Sequence, residues 1–176
     1  MAQEETVMEL MNQLVIADKH TIGDLMAHKG IWTAGTSAVN NAYKILNTLV
    51  DGGQLEKGDG GYYRKIGCRS TYQEHARELT KALAEIIKLN LNAKIFREHT
   101  TPVALRPDAL ILLTKEDKGL CLVLEVMRTE TTDCNFYQQK VNTWESWEGA
   151  KDYLSKMFNT EIKEFNIITD LEEIKL

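Results

Sequence analysis

Two apolar runs in the second half of the chain constrain its fold more than any other feature. They are Arg106-Pro107-Asp108-Ala109-Leu110-Ile111-Leu112-Leu113 and Leu120-Cys121-Leu122-Val123-Leu124-Glu125-Val126-Met127. Each reads as a strand, and each carries a single carboxylate. Strands of this composition are buried on both faces, so a charge within one needs a partner or a metal. Asp108 follows a proline and could cap a turn, while Glu125 could pair with Arg106 or Arg128, with Arg97 a further nearby cation.

A reversal about Glu116-Asp117 would set residue 108 opposite residue 125, with Cβ atoms about 4.5 to 5.5 Å apart. Two carboxylates that close suit Mg²⁺ or Mn²⁺, which could activate water and polarise a phosphodiester. From Tyr72 onward the expected order is helix, three strands, helix, strand, the core order of the PD-(D/E)xK nuclease fold. In that motif a lysine two residues beyond Glu125 orients the attacking water, and strand alternation puts residue 127 on the same face. This chain has Met127 there, whose thioether can neither position water nor offset phosphate charge. Either the lysine's role has moved, with Lys140 on the following helix the leading candidate, or the domain keeps the fold and has lost the chemistry. The second is the expectation, so no cofactor is expected and the chain reads as a binding protein rather than an enzyme. If the site is active, Asp108, Glu125 and Lys140 are catalytic, and Asp108 and Glu125 hold Mg²⁺ or Mn²⁺. Glu74 and Glu78 read as a solvated helix face rather than as further ligands.

The first third has a different pattern. Val7, Leu10, Met11 and Leu14 form one helical stripe, and Thr21 with Asp24 suggests a capping box that opens a short second helix. Thr36-Ser37 could cap a third helix, with Val39, Ala42, Leu46, Leu49 and Val50 at helical spacing and Gly52-Gly53 as its stop. Leu55-Glu56-Lys57, a glycine-rich turn and Tyr62-Tyr63-Arg64-Lys65-Ile66 make a hairpin. Three helices and a hairpin are the order of a winged helix, whose third helix enters the major groove of double-stranded DNA. The expected DNA-contacting residues are Ser37, Asn40, Asn41 and Lys44 on the third helix, and Lys57, Tyr62 and Arg64 in the wing. Asparagine can pair with adenine edges, and lysine with phosphate or guanine. The plain alternatives are a solvated helix face or a protein-docking module.

The fold class expected is therefore α+β: a winged helix-turn-helix over residues 1–68, then an αβββαβ restriction-endonuclease-like domain over 70–176. After the two strong strands, one long helix is expected from Cys134 to Phe158, anchored by Trp144 and Trp147, and then a strand over 165–168. The 176 residues, 43% hydrophobic and 27% charged, suit one or two folded domains. No apolar run approaches the ~20 residues of a membrane span, and the first residues lack the basic region of a signal peptide. Cys68, Cys121 and Cys134 form no C-x-x-C pair and read as reduced thiols, so a cytoplasmic location is expected. A net charge of -5 argues against nonspecific coating of nucleic acid but leaves room for a local basic surface. The four histidines have no metal-ligand spacing. No heptad run decides whether the chain forms a homodimer.

Arg106-Pro107-Asp108 followed by Leu124-Glu125-Val126-Met127-Arg128-Thr129-Glu130-Thr131 resembles the plasmid replication-relaxation family. Its members look like a winged helix followed by a nuclease-like domain, with an R-P-D strand and an E-x-D-R-x-T-E-like strand end. Lys140, before the aromatic Trp144, falls where those proteins tend to carry a lysine. Met127 stands where the family has an acidic residue. The resemblance implies a DNA-associated accessory protein of a plasmid, phage or integrative element, acting in replication, DNA transfer or their control. Replication or transfer proteins are its implied partners.

Overall fold

The computed structural model describes residues 2–67, 73–90, 92–97, 99–115, 118–125 and 134–169. The described chain is a mixed α+β structure that divides into two compact units, Met1–Leu91 and Asn92–Leu176.

The first unit opens with α1 (Ala2–Leu14), which buries Val7, Leu10, Met11 and Leu14 as the stripe predicts. A three-residue strand, β1 (Ile16–Asp18), follows; the helical pattern around it gave no sign of it. Asp18 then caps α2 (Lys19–His28), its side chain accepting from the Thr21 amide at 2.7 Å. Thr21 is thus the capped residue, not the cap. Residues 29–35 lead to α3 (Thr36–Asp51), whose N-cap is Gly35 with no side-chain cap bond, so Thr36 and Ser37 already belong to the helix. Gly52 and Gly53 end α3 as expected, Gly53 with a positive φ of 68°.

A three-stranded sheet in the order β1-β3-β2 closes this unit, with β2 at Leu55–Lys57 and β3 at Tyr62–Lys65. Both pairings are antiparallel. Gly23 in α2 lies so close to the start of α3 that a Cβ there would meet the Ala38 carbonyl carbon and the Val39 nitrogen at 3.1 Å. The residue without a side chain is what lets α2 and α3 approach.

The next helix, α4 (Gln73–Leu89), packs on α1, α2 and β1 and belongs to the first unit. The compact units divide at 91/92, whereas the sequence suggests a boundary at residues 68–70. The reason is local: the Thr80 hydroxyl, buried in the middle of α4, bonds the Ile16 carbonyl of β1 at 2.7 Å. Glu74 and Glu78 are exposed on this helix.

The second unit is a four-stranded sheet ordered β4-β5-β6-β7, with strands Lys94–Arg97, Ala109–Lys115, Lys118–Leu124 and Ile162–Ile168. The first three are antiparallel neighbours, and β7 runs parallel to β6. Two helices make the crossover between β6 and β7: α5 (Cys134–Ser146) and α6 (Ala150–Phe158). The single long helix expected here breaks at residues 147–149, where Gly149 becomes the N-cap of α6. Ala109 to Leu112 and Cys121 to Leu124 are all buried, so both faces of the central strands are covered, as their composition requires. Leu110, Leu112, Cys121 and Val123 pack with Trp144, Leu154 and Phe158 of the crossover helices. Among the described residues, no helix is long and apolar enough to cross a membrane.

Candidate functional site

The carboxylate site is built by strand register. Ala109 pairs with Leu124, Leu110 with Val123 and so on to Lys115 with Lys118. This is the register expected from a reversal at residues 116–117. The Asp108 amide donates to the Leu124 carbonyl at 2.9 Å, which carries the pairing one step further. Alternation puts Asp108 and Glu125 on the side of Leu110 and Val123, the face that α5 covers. Met127, Arg128 and the segment that carries the family resemblance beyond Glu125 lie outside the described residues.

Glu125 is wholly buried, and both of its oxygens are engaged. Lys140 Nζ lies 2.5 Å from Oε2, and the Trp144 indole donates to Oε1 at 3.2 Å. Lys140 also donates to the Arg106 carbonyl at 3.2 Å. Lys140 and Trp144 can both reach Glu125 because they are four apart on one face of α5. Of the two arginines considered as its partner, Arg106 contributes its carbonyl to the Lys140 ammonium. Burial pushes the Glu125 carboxyl above its ordinary value. The Lys140 hydrogen bond and charge and the Trp144 bond work against that, while the Asp108 charge adds to it.

Aromatic rings surround the lysine. Its Nζ is 5.6 Å from the Phe136 ring centroid and 5.9 Å from that of Tyr137, and Phe136 is exposed. Asp108, Glu125 and Lys140, separated in sequence, therefore converge at one end of the sheet. Among the described residues, no group of three His, Cys, Asp or Glu is placed to hold a metal ion. Cys121, nearby in β6, is buried in the core with its thiol pushed up to about 12, which makes it a packing residue.

In the first unit, α3 turns Ser37, Asn40 and Lys44 outward, while Asn41 is half-buried. Two of the three hairpin residues have other partners. Arg64 pairs with Glu56 across β2 and β3 at 2.7 Å. Tyr62 lies under the Arg77 guanidinium at 4.3 Å, and Arg77 also donates to the Asp59 carbonyl at 2.8 Å. Lys57 is exposed. Sequence reasoning missed Arg77, whose role depends on α4 folding back on the first unit. It also passed over Tyr43, exposed on α3 one turn from Asn40; three-residue spacing on the outer face was the available signal.

Two of the four histidines have named structural partners. His28 Nε2 meets the Lys88 carbonyl at 2.8 Å, and His99 bonds the Tyr153 hydroxyl.

Comparison with protein-family models, with curated proteins and with solved structures finds no match to this chain.

Proposed function

We propose that this chain is a DNA-binding accessory or regulatory protein that grips duplex DNA through α3. The observation that carries the reading is the first unit's order, α1-β1-α2-α3-β2-β3 with a β1-β3-β2 sheet and a polar outer face on α3. That order is the one a winged helix uses to present its third helix to the major groove. Asn40 is the exposed residue suited to adenine, and Lys44 and Ser37 suit phosphate or guanine. Arg64 and Tyr62 are held within the hairpin, which leaves Lys57 as the wing residue most open to a phosphate.

The second unit, with three antiparallel strands, a helical crossover and a parallel fourth strand, supports a nuclease-like fold. In this reading it has become a scaffold, because Glu125 is closed off by Lys140 and Trp144. The resemblance of the Arg106-Pro107-Asp108 and Glu125 segments to replication-relaxation proteins supports a setting in plasmid, phage or integrative-element replication, transfer or their control. Its partners there would be replication or transfer proteins, with a homodimer as one possible assembly.

One observation favours a second reading, a metal-dependent DNA endonuclease. Lys140 reaches Glu125 from α5, and Asp108 stands opposite Glu125 in the strand register, which is what a displaced motif lysine would do. Asp108 and Glu125 would then hold Mg²⁺ or Mn²⁺, and Lys140 would orient the attacking water. A single experiment separates the readings: the protein is incubated with duplex DNA and Mn²⁺ or Mg²⁺, and retention and cleavage are scored together. Binding without cleavage supports the regulator. Cleavage abolished by Asp108→Ala supports the nuclease. Neither binding nor cleavage leaves a protein-protein adaptor.

A further inference from the structure

Tyr43 interrupts the polar outer face of α3. Its side chain is 49% exposed, one turn after Asn40 and one turn before Asn47. Asn47 is occupied within the fold: its Nδ2 donates to the Tyr43 carbonyl at 2.7 Å, and its Oδ1 accepts from the Tyr63 hydroxyl at 3.4 Å. Beyond Lys44, then, the large group this face offers is the Tyr43 ring. Lys19, the first residue of α2, holds its ammonium 5.5 Å from the ring centroid. A cation at that distance favours one ring orientation. In the major groove, the group an apolar surface reads is the 5-methyl of thymine.

We propose that Tyr43 is a specificity-determining residue that packs its ring on a thymine 5-methyl group next to the base contacted by Asn40. Lys19 holds the ring in place from the start of α2. The assignment rests on α3 being a DNA-recognition helix, and it adds a preference for thymine that asparagine and lysine contacts alone do not supply.

The test uses the full chain and a duplex it recovers from a randomised library. Each thymine of that duplex is replaced in turn by deoxyuridine, which removes only the methyl group, and affinity is read by fluorescence anisotropy at fixed salt. The wild type is expected to lose roughly fourfold in affinity at one thymine, the value of one buried methyl. Tyr43→Ala should bind the thymine and uracil duplexes alike, while Tyr43→Phe should keep the difference. Circular dichroism checks that Tyr43→Ala is folded. A wild type indifferent to uracil at every position, or a Tyr43→Ala variant that still distinguishes the two, overturns the assignment and leaves DNA binding intact. Recovery of no duplex removes the recognition-helix reading itself and this assignment with it.

Discussion

Lys140 of α5 sets its ammonium 2.5 Å from Oε2 of Glu125, joining a helix that is 19% exposed at that side chain to a carboxylate wholly buried in β6. The pair resolves the problem the sequence posed, since a charge inside an apolar strand has been given a partner. Trp144 completes the arrangement, and its own buried indole N–H is satisfied in return. Breaking one side of such a pair costs more than the pair itself contributes, because a stranded buried charge keeps its desolvation cost.

Lys140→Ala should therefore destabilise the chain by about 3 kcal/mol at neutral pH, the low end for an orphaned buried charge, because Glu125 can take up a proton. The sign with pH follows from the raised carboxyl. Its contribution to stability is fully present below the ordinary value of 4.5 and is lost as pH rises through the folded value. Removing Lys140 takes away two of the three influences that hold the carboxyl down and leaves the Trp144 bond, so the variant loses more across neutral pH. Urea denaturation from acid to neutral pH should show the gap between wild type and variant narrowing as pH falls.

Gly23→Ala tests the approach of α2 to α3. Alanine gains about 1 kcal/mol in helix propensity, but its Cβ would meet backbone atoms of Ala38 and Val39 at 3.1 Å. Backbone cannot rotate aside, so overpacking of about 1 to 3 kcal/mol should win at its upper end. A lower melting temperature is the expected result, with weaker DNA retention because α3 is pushed from its seat.

Arg77→Ala should loosen the hairpin. Arg77 covers Tyr62 and bonds the Asp59 carbonyl, contacts together worth about 1 to 2 kcal/mol. Amide hydrogen exchange should rise over residues 58–62 and stay unchanged in β5 and β6. Equal protection in wild type and variant would mean that α4 does not secure the turn.

Much of this was legible in the sequence where one signal dominated. The continuous apolar runs of β5 and β6, with two residues left for the reversal, located both strands and their register. The stripe Val7, Leu10, Met11 and Leu14 located α1. Strand β1 was not legible, because three residues between two helices carry no periodicity of their own and depend on pairing with β3, some fifty residues away in sequence by rough count. That α4 packs with the first unit was not legible for a similar reason: an amphipathic stripe says that a helix is buried but not against what. At the site, Lys140 was identified as the candidate lysine from its place in the chain. Its pairing with Trp144 around one carboxylate depended on two helix residues four apart facing β6. In the hairpin, Glu56 and Arg77 engage Arg64 and Tyr62, two of the three residues that looked free for phosphate, through a cross-strand pair and a helix that follows the hairpin in the chain.

The central claim is that α3 reads duplex DNA, and the most direct measurement is an anisotropy titration at fixed salt on a duplex selected by the protein. Asn40→Ala should weaken binding of that duplex by about 1 to 3 kcal/mol, the worth of one good base contact, while Lys44→Ala should lower the salt slope by about 1. Failure to enrich any duplex, or an Asn40→Ala isotherm that superimposes on the wild type, would contradict it.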